Sequence, residues 1–363
     1  MMDYRRTVAL EGRFRAERQA GLVGIWGIKM ALQETEQLTR MLAGAALSRA
    51  ICTIAELGVA DHVQDGAPQP VAKLAQLTGA HEESLYRMLR FTAGYGVFRE
   101  IRHRVFDHTP LSAPLRTDAT GSFRPAARMF HRIFPAWDGL HHAVQTGESS
   151  FQKVFGQPLF DYIGQHEELA PIFDAGMTAF HGYETGAMLD AYDFGGIETL
   201  ADIGGGNGSL LAATLRRYPR LTGILYDLGH VVGRAREALR KLDLEKRCSV
   251  IEGNFFESVP GGADAYLMRH IIHDWTDEQS VTILSNCRKV VPPHGRILLV
   301  EFDVSLANQA SLGKDADMLM LAFPGGKERT QEEYRALFEQ SGFRLNNVTQ
   351  TQSAVCVFEG KPA

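Results

Sequence analysis

The stretch LMRHIIHDWTDEQS, residues 267–280, sets two histidines three positions apart and follows them with acidic side chains. His270 and His273, with Asp274, could hold a metal ion. They could also supply one general base beside an unrelated histidine, or mark a strand running into a helix cap. The apolar residues before them read as a buried strand. In an extended segment, residues three apart point to opposite faces, so the two imidazoles are expected to diverge. No third histidine lies near, and no metal is expected. His273 then leaves the strand end as the candidate base, and His270 is a satisfied, half-buried side chain. Thr276 and Gln279 form a T-x-x-Q capping box for the next helix. Glu301, which ends the strand GRILLVE, shares the same sheet edge, and Glu328, in GGKERT, follows the loop after it.

A second motif, DIGGGNGS at 202–209, lies where another strand meets a helix. Gly204, Gly206 and Gly208 allow a sharp turn and close approach to a ligand. Asp227, with Leu228 beside it, closes the next strand, where a carboxylate can accept both hydroxyls of a ribose. NAD and S-adenosylmethionine both carry such a ribose. Asp202 sits immediately before the loop, and its carboxylate suits the ammonium of an amino acid tail. Asn254 and Phe255, in EGNFFESVP, stand at adenine height, one to hydrogen-bond and one to stack, and Arg269 is expected on the adenine side. These neighbours favour S-adenosylmethionine.

The elements that position these residues alternate. ETLADIG, LTGILYDL, CSVIEG, ADAYLMRH, GRILLVEF, FRLNNVTQT and SAVCVFEGK read as strands, with helices between most of them. The rhythm is that of an α/β domain with a doubly wound, Rossmann-like sheet, whose ligands sit at the carboxyl ends of the strands. Residues 111–192 are helical and rich in aromatics and methionine. Phe130, Trp137, Phe160, Met177 and Phe180 are candidates to line an apolar pocket, together with Asp274, Met318 and Phe323. Before them, residues 70–106 spell a winged helix-turn-helix: a helix from Val71, a Thr78-Gly79 turn, a helix from Glu82 and a basic hairpin. Its second helix spends Leu85, Met88, Leu89 and Phe91 on a core and leaves mainly Arg87 and Arg90 for phosphates, so packing is the plainer reading. The apolar run LVGIWGIKMAL around Trp26 has little polar face and calls for a partner, consistent with an interdigitated homodimer. The expected domains are 1–110, helical with the winged helix; 111–192, a linker contributing to the substrate pocket; and 193–363, the cofactor-binding domain.

The 363 residues carry a net charge of −5, which supplies no global field for nucleic acid or anionic lipid. The four cysteines are scattered and form no C-x-x-C pair, which fits free thiols in a reducing compartment. The charged N-terminus lacks the apolar core of a signal peptide, and no uninterrupted apolar run reaches about 20 residues. The cytoplasm is the expected address, with no nucleic acid or membrane partner.

LADIGGGNGSLLAATL, ILYDLGHVV, EGNFFESVP, LMRHIIHDWTDE, GRILLVE and PGGKERTQEEYRALFEQSGF occur in that order. Together they resemble the plant-type small-molecule O-methyltransferases that use S-adenosylmethionine, whose bacterial relatives modify aromatic natural products. The resemblance spans nearly the whole chain. It implies a mostly parallel sheet with an antiparallel strand, an N-terminal winged-helix dimerisation domain, and no metal. It also implies that His273 is the base and that Glu301 and Glu328 orient and charge it. A phenol has a pKa of about 10, so only about a thousandth is phenolate at pH 7, and a histidine base suits its activation. The sequence departs from the family at Asn254, where an aspartate is usual. Ala322-Phe323 replaces a polar His-Asn dipeptide, and His181 stands where a serine is common. The substrate therefore cannot be copied from a plant relative. Transfer to an arylamine nitrogen, other chemistry with the same cofactor, a DNA-binding regulator sensing S-adenosylmethionine and an NAD dehydrogenase are the alternatives.

Overall fold

The computed structural model describes residues 33–64, 66–305 and 307–363, which fall into two compact units dividing after Leu111. The apolar run around Trp26 lies outside the described residues. In the first unit, helix Gly44–Leu57 ends at Gly58 with φ 70°, a left-handed cap that glycine adopts without strain. Helices Val71–Thr78 and Glu82–Ala93 pack through Leu74, Leu85 and Leu89. Strands β1 (Gln69–Pro70), β2 (Phe98–Arg102) and β3 (Val105–His108) complete the winged helix, with antiparallel order β1-β3-β2. Glu82 and Glu83 open the second helix and both bind Arg104 of the hairpin, at 2.7 and 2.8 Å. The helical stretch Gln33–Leu57 is long and apolar enough, by length and composition, to cross a membrane. Arg49 and Glu56 interrupt it, so it contains no uninterrupted apolar run of about 20 residues. Leu38, Met41 and Leu42 on it are exposed, Leu42 by 76%.

The second unit is a seven-stranded sheet: β4 (Thr199–Ile203), β5 (Thr222–Asp227), β6 (Cys248–Glu252), β7 (Ala265–Arg269), β8 (Arg296–Phe302), β9 (Phe343–Gln350) and β10 (Val355–Pro362). The order is β6-β5-β4-β7-β8-β10-β9, parallel except for β10, which runs against both its neighbours. This is the expected Rossmann-like sheet with one antiparallel strand. Alternate residues of each strand serve opposite faces. Leu225, Leu267, Leu298 and Val300 pack against Leu211, Leu215, Val232 and Leu239 of helices Ser209–Arg217 and Gly229–Lys241. Tyr266, Met268, Ile297 and Leu299 meet Ile283, Leu284, Leu337 and Phe338 of helices Asp277–Arg288 and Gln331–Gln340 on the other face. Both faces are covered, which is why the strands read as nearly continuous apolar runs.

The helical segment 112–191 supplies the roof over the strand ends. Helices Arg124–Ile133 and Ala170–Ala191 cross so closely at Gly176 that a Cβ there would come 2.5 Å from Cβ of Met129. The space between roof and sheet edge is where the chemistry-bearing residues meet.

Candidate active site

A cavity of about 520 Å³ opens between the carboxyl ends of β4 to β8 and the helical roof. One side is the glycine loop. Gly204 and Gly206 have φ 71° and 58°, and a Cβ at Gly204 would meet Ile271 at 2.5 Å. Asp227 closes the loop from below, its Oδ2 accepting from Gly206 N–H at 2.8 Å and its Oδ1 from Leu228 N–H at 2.7 Å. Burial raises its pKa, and those two donors moderate the shift. Gly204, Gly206, Asp227, Leu228, Asn254, Phe255 and Arg269 all line the cavity. Asn254 is partly committed to its own turn, because its Oδ1 accepts from Phe256 N–H at 3.0 Å.

Two cofactor-side residues lie elsewhere than the sequence suggested. Asp202 does not line the cavity. Its carboxylate lies under the loop, where a Cβ on Gly205 would come 2.9 Å from its Oδ2. The middle glycine, passed over in the motif, makes that room. Oδ2 has no hydrogen-bond partner among the described residues, and burial pushes the carboxyl up to about 7. Arg269 ends β7, three strands from the β6 end that carries Asn254. It donates to Thr185 on the roof helix at 2.7 Å, so it stands away from the adenine side.

The opposite wall is apolar. Phe130, Phe160, Met177, Phe180 and Phe323 line it, and Asp274 reaches the same space. Trp137 stands behind the wall, edge-on to Phe323 with ring centroids 5.7 Å apart. Met318 points out and is 40% exposed. On helix Leu312–Ala322 the inward positions are Ala316, Leu319 and Met320, with Phe323 just past its end. That is the i, i+3, i+4, i+7 stripe, and residue 318 falls between its rows.

At the junction of the walls stands His273, buried in the turn Ile272–Asp274. Its Nδ1–H donates to Glu328 Oε1 at 2.6 Å, with Glu301 Oε2 at 3.6 Å, which leaves Nε2 without a hydrogen bond among the described residues, 3.5 Å from Asp274 Oδ1. Glu301 Oε1 accepts from the backbone N–H of Ile271 and Ile272, at 3.2 and 3.0 Å, so this carboxylate also shapes the turn. Burial alone would lower the imidazole pKa, but Glu328, Glu301 and Asp274 lift it to about 10. Burial pushes Asp274 up to about 7 against the pull of His273. An imidazole held this way can take a proton at Nε2 and have the resulting charge stabilised from behind.

The divergence expected of His270 and His273 does not occur. β7 ends at Arg269, and His270 has φ 53°, a left-handed conformation that breaks the strand and turns its ring. The two ring centroids are 5.0 Å apart. Nor is His270 a bystander: its Nε2–H donates to Glu184 Oε2 at 2.8 Å, and its ring stacks on His181 at 4.0 Å. His181 Nδ1–H donates to the same Glu184 oxygen at 3.1 Å. His181, Glu184 and His270, and likewise His270, His273 and Glu301, lie close enough to share an ion. In the first set the facing nitrogens already donate to the carboxylate that an ion would need.

Besides Glu328, three residues of PGGKERT grip the turn that carries His273. Gly326 presses on that turn so tightly that a Cβ would lie 2.0 Å from His273 O. The next amide, Lys327 N–H, donates to that oxygen at 2.8 Å. Arg329 is fully buried and donates to Ile272 O at 2.9 Å and Trp275 O at 2.8 Å. Asp277, on the helix started by the Thr276–Gln279 capping box, accepts from Arg329 Nε at 2.9 Å. A motif of consecutive residues gripping one turn is readable as a motif, but the grip is a long-range fact.

A model of the O-methyltransferase domain matches residues 137–344, and one of the O-methyltransferase dimerisation domain matches residues 39–118. The phenazine O-methyltransferase PhzM of Lysobacter antibioticus is 39% identical, over 90% of this chain and 95% of that protein. The mitomycin biosynthesis 6-O-methyltransferase of Streptomyces lavendulae is 38% identical, over 85% of this chain and 89% of its own. Among solved structures, the O-methyltransferase NcsB1 from neocarzinostatin biosynthesis was captured with S-adenosylmethionine and 2-hydroxy-5-methyl naphthoic acid. It matches with a TM-score of 0.77 at 28% identity, over 87% of this chain and 96% of its own.

Proposed function

The chain belongs to the O-methyltransferase family, and on that premise we propose that it methylates a hydroxyl of a planar, polycyclic aromatic small molecule, with His273 as general base. It is an S-adenosylmethionine-dependent enzyme. The observation that carries the base assignment is the buried His273–Glu328 pair at 2.6 Å, standing where the glycine-loop wall meets the aromatic wall.

The residues fit this cofactor. Gly204 and Gly206 expose backbone at the loop, Asp227 and Leu228 stand at the ribose position, and Phe255 offers an aromatic face with Asn254 beside it. The guanidinium of Arg269, which lines the cavity, suits the carboxylate of an amino acid tail. S-adenosylmethionine supplies a methyl group on a positively charged sulfur, already activated for attack.

What the chain adds is a nucleophile and a line of approach. His273 Nε2 accepts the acceptor's hydroxyl proton, while Glu328 and Glu301 stabilise the imidazolium. Phe130, Phe160, Phe180 and Phe323 clamp a flat ring system, and burial keeps water from the reacting centre. Phe323 in place of a polar residue makes recognition more a matter of shape than of hydrogen bonds. A homodimer formed through the first unit belongs to the same reading, supported by the exposed Leu38, Met41 and Leu42 within or beside the matched dimerisation segment. Nucleic acid does not, since Glu82 and Glu83 head the helix that would enter a groove. A cytoplasmic address is supported by four free, buried cysteines.

The test is incubation with methyl-labelled cofactor and a panel of hydroxylated polycyclic aromatics, followed by mass spectrometry. Label is expected on oxygen of at least one compound, and His273→Ala should lower turnover about 100-fold or more with cofactor affinity near normal. Unchanged turnover in that variant removes His273 as the base.

A further inference from the structure

Behind the proposed base lies a second imidazole with no part in the mechanism just described. His270 is buried between two carboxylates from different elements: Glu184 of helix Ala170–Ala191, 2.8 Å from Nε2, and Glu301 of β8, 3.5 Å from Nδ1. The same oxygen of Glu301 is 3.6 Å from Nδ1 of His273. One carboxylate oxygen is therefore shared by the two histidines. His270 Nδ1 and Glu301 Oε2 are buried and have no hydrogen-bond partner among the described residues, so the 3.5 Å between them is an ion-pair distance. An imidazole that already donates Nε2–H to Glu184 carries a positive charge for Glu301 only when Nδ1 is protonated as well. The left-handed backbone of His270, unfavourable for a residue with a Cβ, is what brings its ring into this position.

We propose that His270 is a positioning residue that sets the proton affinity of His273 through their shared carboxylate, Glu301. A cationic His270 holds Glu301 and offsets part of its charge, so His273 feels mainly Glu328 and releases its proton at lower pH. Glu184 keeps His270 charged, and His181 braces it by stacking while donating to that same Glu184. The other charged or titratable groups facing the pair are Glu328, Arg329 and Tyr334 from the loop and helix beyond β8, and Arg269 and Asp274 next to it in the chain. None of them bridges the two imidazoles as Glu301 does. Burial draws the His270 pKa down, but Glu184 and Glu301 together leave it raised, while burial and the nearby His270 bring His181 down to about 3. The array is thus a charged His270 braced by a neutral His181.

The inference rests on His273 being the base, so its test includes a measurement that does not need turnover. The imidazole of His273 is titrated by NMR in histidine-labelled protein, as wild type, His270→Phe and Glu184→Gln. Removing or discharging His270 is expected to raise the His273 midpoint by about one unit. In turnover, the acid limb of the kcat profile should move to higher pH by the same amount, and kcat at pH 7 should fall about tenfold. KM for S-adenosylmethionine should stay within about threefold, and His270→Gln should behave like His270→Phe because both remove the charge. If His270→Phe fails to fold, His270→Gln and Glu184→Gln carry the same comparison. A His273 midpoint and an acid limb that stay fixed in the folded variants overturn the proposal, even if kcat falls. A shifted midpoint without detectable turnover supports the coupling and counts against the base assignment instead.

Discussion

Replacing Glu328 with Gln isolates the electrostatic half of the proposed base. The carboxylate accepts from His273 Nδ1–H at 2.6 Å, both side chains are buried, and glutamine keeps the shape and an acceptor oxygen while losing the charge. Two opposite charges about 4 Å apart attract by about 4 kcal/mol at an effective dielectric of about 20. At about 1.4 kcal/mol per pKa unit, that is a ceiling of about 3 units. Glu301 and Asp274 remain, so a fall of about 1–2 units in the His273 pKa is the working expectation. The unliganded value of about 10 is raised, chiefly against burial, by these three carboxylates, and removing one moves it down. The base works when neutral, so the acid limb of the kcat–pH profile should move to lower pH. The plateau should meanwhile drop about 100-fold, because the imidazolium formed on proton abstraction has lost its partner and the base is weaker. Steady-state kinetics from about pH 6 to 11 at saturating cofactor, with circular dichroism to verify folding across the range, reads both effects. An unmoved limb, or a plateau equal to wild type, refutes the assignment of Glu328 as the partner of the base. The shift is opposite in sign to that expected on removing His270, so the two variants check each other.

Three further outcomes follow from the same geometry. Asp227→Ala removes the acceptor of the Gly206 and Leu228 amides and should weaken cofactor binding by about tenfold or more in calorimetry, while unchanged affinity would move the ribose site elsewhere. Gly326→Ala puts a methyl 2.0 Å from His273 O, so it should displace the turn, cost at least about tenfold in kcat and lower the melting temperature. His273, largely protonated below about pH 10 in the unliganded protein, should give up proton when a cation enters the cavity. Affinity for S-adenosylmethionine should therefore rise with pH, with proton release visible in buffers of different ionisation heat. The neutral S-adenosylhomocysteine should show little of either, and identical behaviour of the two ligands would contradict the charge argument.

Much of this protein is written in short-range patterns. Alternating apolar strands and amphipathic helices call for a doubly wound sheet, because burial on both faces leaves such strands few other options. The glycines at 204 and 206 announce a close-approach turn, and His273, Glu301 and Glu328 stand at strand ends or just beyond, on one edge. What periodicity could not carry is the direction of individual side chains after a strand stops. A single dihedral at His270 turns an expected divergence into two rings 5.0 Å apart. Gly205 rather than its neighbours makes room for Asp202, and Met318 misses the cavity because helix phase is set by packing against the roof. Glu184 and His181, distant in sequence, reach His270 only because helix Ala170–Ala191 lies over the strand ends. Local sequence determines which elements form and which residues stand at their ends. Tertiary packing decides which of those residues share a proton, because hydrogen bonds and charge coupling act over a few ångströms, whatever the distance along the chain.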